Sequence, residues 1–84
     1  MKCMFTKHVL DKLSNLKISR IKITRKLILS TIEYPEDVNS EEDYPNLIAS
    51  AKLDVDRVIR VVYRIEDGRI VIITFYPAKK GRYY

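Results

Sequence analysis

Arg57-Val58-Ile59-Arg60-Val61-Val62-Tyr63-Arg64-Ile65-Glu66-Asp67-Gly68-Arg69-Ile70-Val71-Ile72-Ile73-Thr74-Phe75-Tyr76 decides the fold of this chain. Both halves are rich in β-branched and aromatic residues, which suit a pleated, half-buried surface, so each reads as a strand. Asp67-Gly68 between them is a preferred two-residue hairpin turn, because both central positions need positive φ. That turn predicts a register: Glu66 opposite Arg69, Tyr63 opposite Ile72, Val61 opposite Thr74, and Ile59 opposite Tyr76. Two unlike faces result. One carries Ile59, Val61, Tyr63, Ile65, Ile70 and Ile72, and is expected to receive helices. The other sets Arg60 and Arg64 among Val58, Val62, Val71, Ile73 and Phe75. It is too apolar for plain solvent and too charged for a core, so the C-terminal tail or a partner is expected to cover it.

Working back toward the N-terminus, Leu47, Ala49, Ala51 and Leu53 alternate with Ile48, Ser50 and Lys52 and predict a third strand. The acidic stretch before it, through Pro45, reads as a surface loop. Two helices precede the loop. Thr6 is placed to cap the first, with Phe5 before it and Leu10 in the following turn forming a hydrophobic staple. Val9, Leu10, Leu13 and Leu16 follow at helical spacing. Ile23, Thr24 and Ile28 repeat the same start, and Leu27, Ile28, Thr31 and Ile32 form the second buried stripe. Pro35 ends that helix by pushing Tyr34 out of the helical region. The expected fold is α+β in one domain spanning residues 1–84. Two N-terminal helices pack on one face of a small antiparallel sheet, in the order ααβββ, with room for a short extra edge strand from Lys2 to Phe5. Leu10, Leu13, Ile28 and Ile32 are expected to meet the sheet.

With 84 residues the chain has room for one modest core. Cys3 and His8 are each the sole residue of their type, which excludes an intramolecular disulfide and a Cys- or His-paired metal centre. The run Ile70–Ile73 is too short for a membrane helix, and residues 1–5 lack the apolar segment of a signal peptide, so a cytoplasmic location is expected. Sixteen Lys and Arg residues oppose eleven acids. Six of those acids, Glu33, Glu36, Asp37, Glu41, Glu42 and Asp43, crowd into one stretch without a base. The remainder is strongly basic, and a basic body with one acidic loop suits either a polyanion partner or a merely soluble surface.

Several positions together carry a family resemblance. They are His8 near the start of the first helix, Ile23 opening the second, Pro35 ending it, then Arg60, Val62 and Tyr63, and finally Thr74 and Tyr76 in a closing Thr-x-Tyr-Pro. From Phe5 to Tyr83 the chain resembles the domain of unknown function family 4258, which itself resembles the RelE/ParE toxins. The resemblance implies two helices on an antiparallel sheet whose other face is basic. It also implies an RNA-directed endoribonuclease of a toxin-antitoxin pair, or a gyrase poison; a nuclease here is expected to be metal-independent, because no carboxylate cluster lies on the basic face to hold a metal. The implied partners are RNA or the ribosome and an acidic antitoxin-like protein, and a homodimer is left open. No cofactor and no membrane partner is implied. The alternative is a non-catalytic module that binds nucleic acid or protein.

Candidate site residues follow, each with a plainer reading beside it. Arg60 and Arg64 offer planar guanidinium groups for phosphate, with Lys52 nearby and Phe75 able to stack a base. Alternatively, they pair with Glu41, Glu42 or Asp43. Lys22, Arg25 and Lys26 lie at the start of the second helix, where free amides and cations favour an anion, or they form a solvated basic turn. His8 is a candidate base, or the donor of a structural hydrogen bond. Lys79, Lys80, Arg82 and Tyr83 resemble the basic, tyrosine-bearing end of RelE-type toxins, or are a frayed tail. In the catalytic reading, Arg60, Arg64 and Arg82 bind phosphate, Tyr83 carries the proton and His8 is its substitute. The paired lysines of those toxins have no counterpart here.

Overall fold

The computed structural model describes residues 2–16 and 23–81. Its elements run β1 (Lys2–Phe5), α1 (Lys7–Leu16), α2 (Arg25–Glu33), β2 (Asp37–Asn39), β3 (Leu47–Lys52), β4 (Arg57–Glu66) and β5 (Arg69–Lys79). Asp67 and Gly68 join β4 to β5 with φ of 52° and 73°, the left-handed conformation that the turn demands. Thr24 caps α2, accepting at its hydroxyl from the Leu27 amide at 3.2 Å. Thr6 does the same for α1, its hydroxyl accepting from the Val9 amide at 3.4 Å.

The sheet is not the small antiparallel one that the sequence suggested. It has five strands in the order β1-β5-β4-β3-β2, and β1 runs parallel to β5, so the sheet is mixed. Cys3 and Phe5 of β1 pair with Ile70 and Ile72 and extend the apolar layer over an edge that β5 would otherwise leave open. The acidic stretch also departs from a plain loop. Asp37–Asn39 pairs antiparallel with Ile48–Ser50 and closes the opposite edge as β2. A three-residue strand, Asp37-Val38-Asn39, with Asp and Asn at two of its positions has no propensity signal to betray it. The helices spread over different strands, with α1 against β5 and α2 against β3 and β4.

α1 sits where β1 runs out. The Thr6 hydroxyl donates to the Ile72 carbonyl at 3.0 Å, and the Lys12 ammonium donates to the carbonyl of Phe75. These polar side chains satisfy β5 carbonyls at and beyond the last β1 pairing, that of Phe5 with Ile72. Behind them, Val9, Ile28, Ala49, Ile59, Val61, Tyr63, Ile70 and Ile72 form the core, with Leu13 and Ile32 packed against it. Burial raises the pKa of the Tyr63 phenol above its ordinary value. Ile65, on the face expected to receive the helices, is exposed at the hairpin end.

One irregularity reorganises the hairpin. Pairing follows the expected register from Glu66 opposite Arg69 to Tyr63 opposite Ile72. It then shifts by one residue, so that Val62 meets Thr74, Val61 meets Phe75 and Arg60 meets Tyr76. Ile73 is the extra residue of a β-bulge, which reverses the facing of everything after it. Phe75 therefore turns inward and is fully buried, while Thr74 and Tyr76 turn to the face carrying Arg60. Phe75 cannot stack a base.

The turn between β3 and β4 is tied by charge. Arg57 Nη2 lies 2.6 Å from Asp54 Oδ2, and the amides of Leu53 and Asp54 donate to the Arg57 carbonyl. The Arg57 hydrogen bond lowers the Asp54 carboxyl pKa from 3.8 to about 2. A depressed folded-state pKa stabilises above the unfolded value, and the contribution is lost as pH falls. Carbon-detected NMR of the Asp54 carboxyl should therefore show a midpoint near 2, and stability from this turn should fade between 3.8 and that midpoint. A midpoint at the ordinary aspartate value would exclude the ion pair in solution.

Candidate functional site

The outer face of the sheet, away from the core, is organised around a row of paired positions, Ser50, Arg60 and Tyr76 on β3, β4 and β5. Arg60 stands at the centre and is 1% exposed. Its Nη1 donates to the Tyr76 hydroxyl at 2.6 Å and to Glu42 Oε2 at 3.1 Å, and its Nη2 donates to Glu42 Oε1 at 3.2 Å. The guanidinium carbon also lies 5.6 Å from the centre of the Tyr76 ring. Burial works to lower the Arg60 pKa, but the hydrogen bonds and charges of Glu42 and Tyr76 outweigh it and the pKa is raised. The arginine is permanently charged and is braced by both Glu42 and Tyr76.

Glu42 comes from the turn between β2 and β3. That turn is held by the Asn39 side chain, which accepts from the amides of Glu41 and Glu42 at 2.9 and 2.8 Å. Asn46 donates to Asp43 at its far end. Short Asn and Asp side chains bonding nearby backbone in this way are ordinary turn chemistry. They set one acid over the sheet and leave its neighbours in water.

Two residues back along the same face of β5 stands Thr74. His8 Nε2 lies 3.2 Å from its hydroxyl, and Lys12 Nζ lies 3.4 Å from the same oxygen. His8 and Lys12 are four apart on α1 and so share one side of that helix. The bulge makes the meeting possible, because it turns Thr74 outward to the edge that α1 follows. Lys12 also lies 5.0 Å from the centre of the Phe75 ring, and burial lowers its pKa below the ordinary lysine value. With Lys12 donating to the threonine oxygen, the Thr74 hydroxyl hydrogen can point to the imidazole. An imidazole, an ammonium and two hydroxyls thus lie along one strip that ends at Arg60. Such a set can hold an anion and move protons at it.

The other sequence candidates are dispersed. Arg64 is on the outer face but exposed, and its Nε lies 2.7 Å from Glu66. Lys52 ends β3 on that face, in solvent. Arg25 and Lys26 lie on the helix side, lining a cleft of about 600 Å³ with Leu10, Leu13 and Ile23. There the Arg25 guanidinium rests 5.3 Å from the centre of the Phe5 ring. Lys79 and Lys80 are exposed where β5 ends, the Lys80 amide bonded to the Asp56 carbonyl at 2.8 Å. Lys22, Arg82 and Tyr83 lie outside the described residues.

Sequence reasoning missed Lys12, Thr74 and Tyr76 as site residues. The four-residue spacing from His8 was a usable signal for Lys12. Tyr76 was marked only by the closing Thr-x-Tyr-Pro, because its facing toward Arg60 depends on the bulge. Among the described residues, no group of three or more His, Cys, Asp or Glu side chains could hold a metal ion, and no helix is long and apolar enough to cross a membrane. Comparison with known proteins found no matching family model, no matching curated protein and no matching solved structure.

Proposed function

We propose that this chain is an RNA-directed protein of the RelE-like toxin kind, which cleaves RNA without a metal ion along the strip from His8 to Arg60. The convergence of His8 and Lys12 on Thr74, beside the Arg60-braced Tyr76, carries this reading. In the reaction the RNA 2′-hydroxyl attacks the adjacent phosphorus. His8 takes the hydroxyl proton and Lys12 faces the charge that builds on the phosphoryl oxygens. Tyr76 accepts a hydrogen bond from Arg60 and keeps its own hydrogen for the departing 5′-oxygen. The bond to that oxygen breaks, leaving a 2′,3′-cyclic phosphate and a 5′-hydroxyl.

Cleavage of single-stranded RNA, or of RNA on translating ribosomes, should persist in EDTA and cease on substrate lacking the 2′-hydroxyl. His8→Ala should slow it by about 10²–10⁴-fold, the usual contribution of a positioned base. Binding should fall steeply with salt, since several phosphate contacts release counterions. No cleavage by the intact protein on either substrate would rule out the catalytic reading.

A second reading, a non-catalytic binding module, is favoured by a different observation. Glu42 occupies the fork of Arg60, and the buried Phe75 offers no ring to a base. RNA binding without cleavage, at low salt, is its expected result.

A further inference from the structure

Arg60 raises a question of chemistry. An arginine held away from water on a sheet is a costly way to fill space, because an apolar side chain of similar volume serves stability as well or better. Its surroundings do not resemble those of a packing residue. The guanidinium presents two N–H groups side by side, and Glu42 meets them with both carboxylate oxygens, at 3.1 and 3.2 Å. The same fork accepts a phosphate in the same two-pronged way.

The carboxylate, unlike the arginine, is not sealed in. The Glu42 side chain is 44% exposed, whereas that of Arg60 is 1% exposed, so the anion rather than the cation faces solvent. The turn carrying Glu42 is exposed from Ser40 to Pro45. The bonds from Asn39 to the Glu41 and Glu42 amides, and from Asn46 to Asp43, are local to it and do not involve the Glu42 carboxylate. The side chain can leave the arginine without dismantling its turn. Tyr76 would remain on Arg60 when it does.

We infer that Arg60 is a phosphate-binding site held in this structure by the protein's own Glu42, and that an RNA phosphate binds by displacing that carboxylate. The inference rests on the RNA-directed reading for the identity of the ligand, and on the Glu42–Arg60 geometry for the site. Glu42 acts as an internal competitor. It lowers affinity for any single phosphate and reserves the site for a polyanion whose other phosphates are held elsewhere on the basic surface.

Inorganic phosphate and a single-stranded RNA oligonucleotide probe the two parts separately. Thermal unfolding is followed while phosphate replaces chloride at constant ionic strength. Glu42→Gln, which keeps an acceptor for Arg60 but loses the charge, should show a phosphate-dependent rise in Tm that the unaltered protein lacks. Adding Arg60→Lys to that variant should abolish the rise. RNA affinity of Glu42→Gln should increase by roughly tenfold, the scale of one hydrogen-bonded charge pair released to a ligand. Should Glu42→Gln fail to fold, Glu42→Asp keeps the charge on a shorter arm and should give a smaller rise of the same sign. An identical phosphate response in all three proteins would overturn the site. A phosphate response confined to the Glu42 variants, with no RNA binding in any of them, would uphold the site and sink the RNA reading instead.

Discussion

Glu42→Ala should lower the unfolding free energy by about 2–3 kcal/mol, because it strips the carboxylate from a buried guanidinium. Removing one partner of a fully buried pair costs about 3–5 kcal/mol, and the lower figure reflects the half-exposed Glu42, whose place water can partly take. For a chain of this length that corresponds to a fall in Tm of roughly 10–20 °C. The complementary change should be far milder. Arg60→Met together with Glu42→Gln removes the buried charge and its need for a partner, and should recover most of the lost stability. Urea titration of the two single variants and the double variant measures the coupling directly. Single losses that simply add would show that Glu42 and Arg60 do not act as a pair in solution.

Phe75→Ala should be the most damaging single truncation in β5, at about 3–5 kcal/mol, as for other buried phenylalanines. Its ring is fully buried and belongs to the core cluster. Tyr76→Phe should cost only about 1 kcal/mol, the worth of one hydrogen bond, since Arg60 retains Glu42. The contrast tests the bulge at Ile73. Without it the two residues exchange faces, Tyr76 becomes the core residue, and truncating Phe75 costs little. Thermal melts of Phe75→Ala and Tyr76→Phe decide between these registers.

The same bulge explains why the candidate site was only half legible in the sequence. His8 and Arg60 could be named from their residue types and positions. Glu42 could be named as a possible partner for the arginines, since a loop acid is the ordinary counterpart of a cation on a sheet. Which of three loop acids reaches Arg60 depends on how Asn39 turns the chain, and no spacing rule expresses that. The register that Asp67-Gly68 alone predicts puts Thr74 and Tyr76 on the core face and Phe75 outward, the reverse of what the bulge makes. A one-residue slip is invisible to an alternation pattern, because Ile72 and Ile73 are equally apolar and either can point inward.

What the sequence determined by itself is what neighbouring residues settle among themselves. Asp67-Gly68 makes the hairpin turn because its backbone must reach positive φ. Thr6 and Thr24 start helices because their hydroxyls satisfy amides within the same turn. Ile59, Val61, Ile70 and Ile72 line the core because alternation requires it. The tertiary structure decided the rest. It placed β1 parallel to β5, closed the other edge with three acidic-stretch residues, set α1 along β5 and inserted the bulge that brings Thr74 under His8 and Tyr76 against Arg60. These arrangements join segments far apart in the chain. Their energies come from strand edges, carbonyls and charges that must find partners after collapse, so no local pattern of residue types records them.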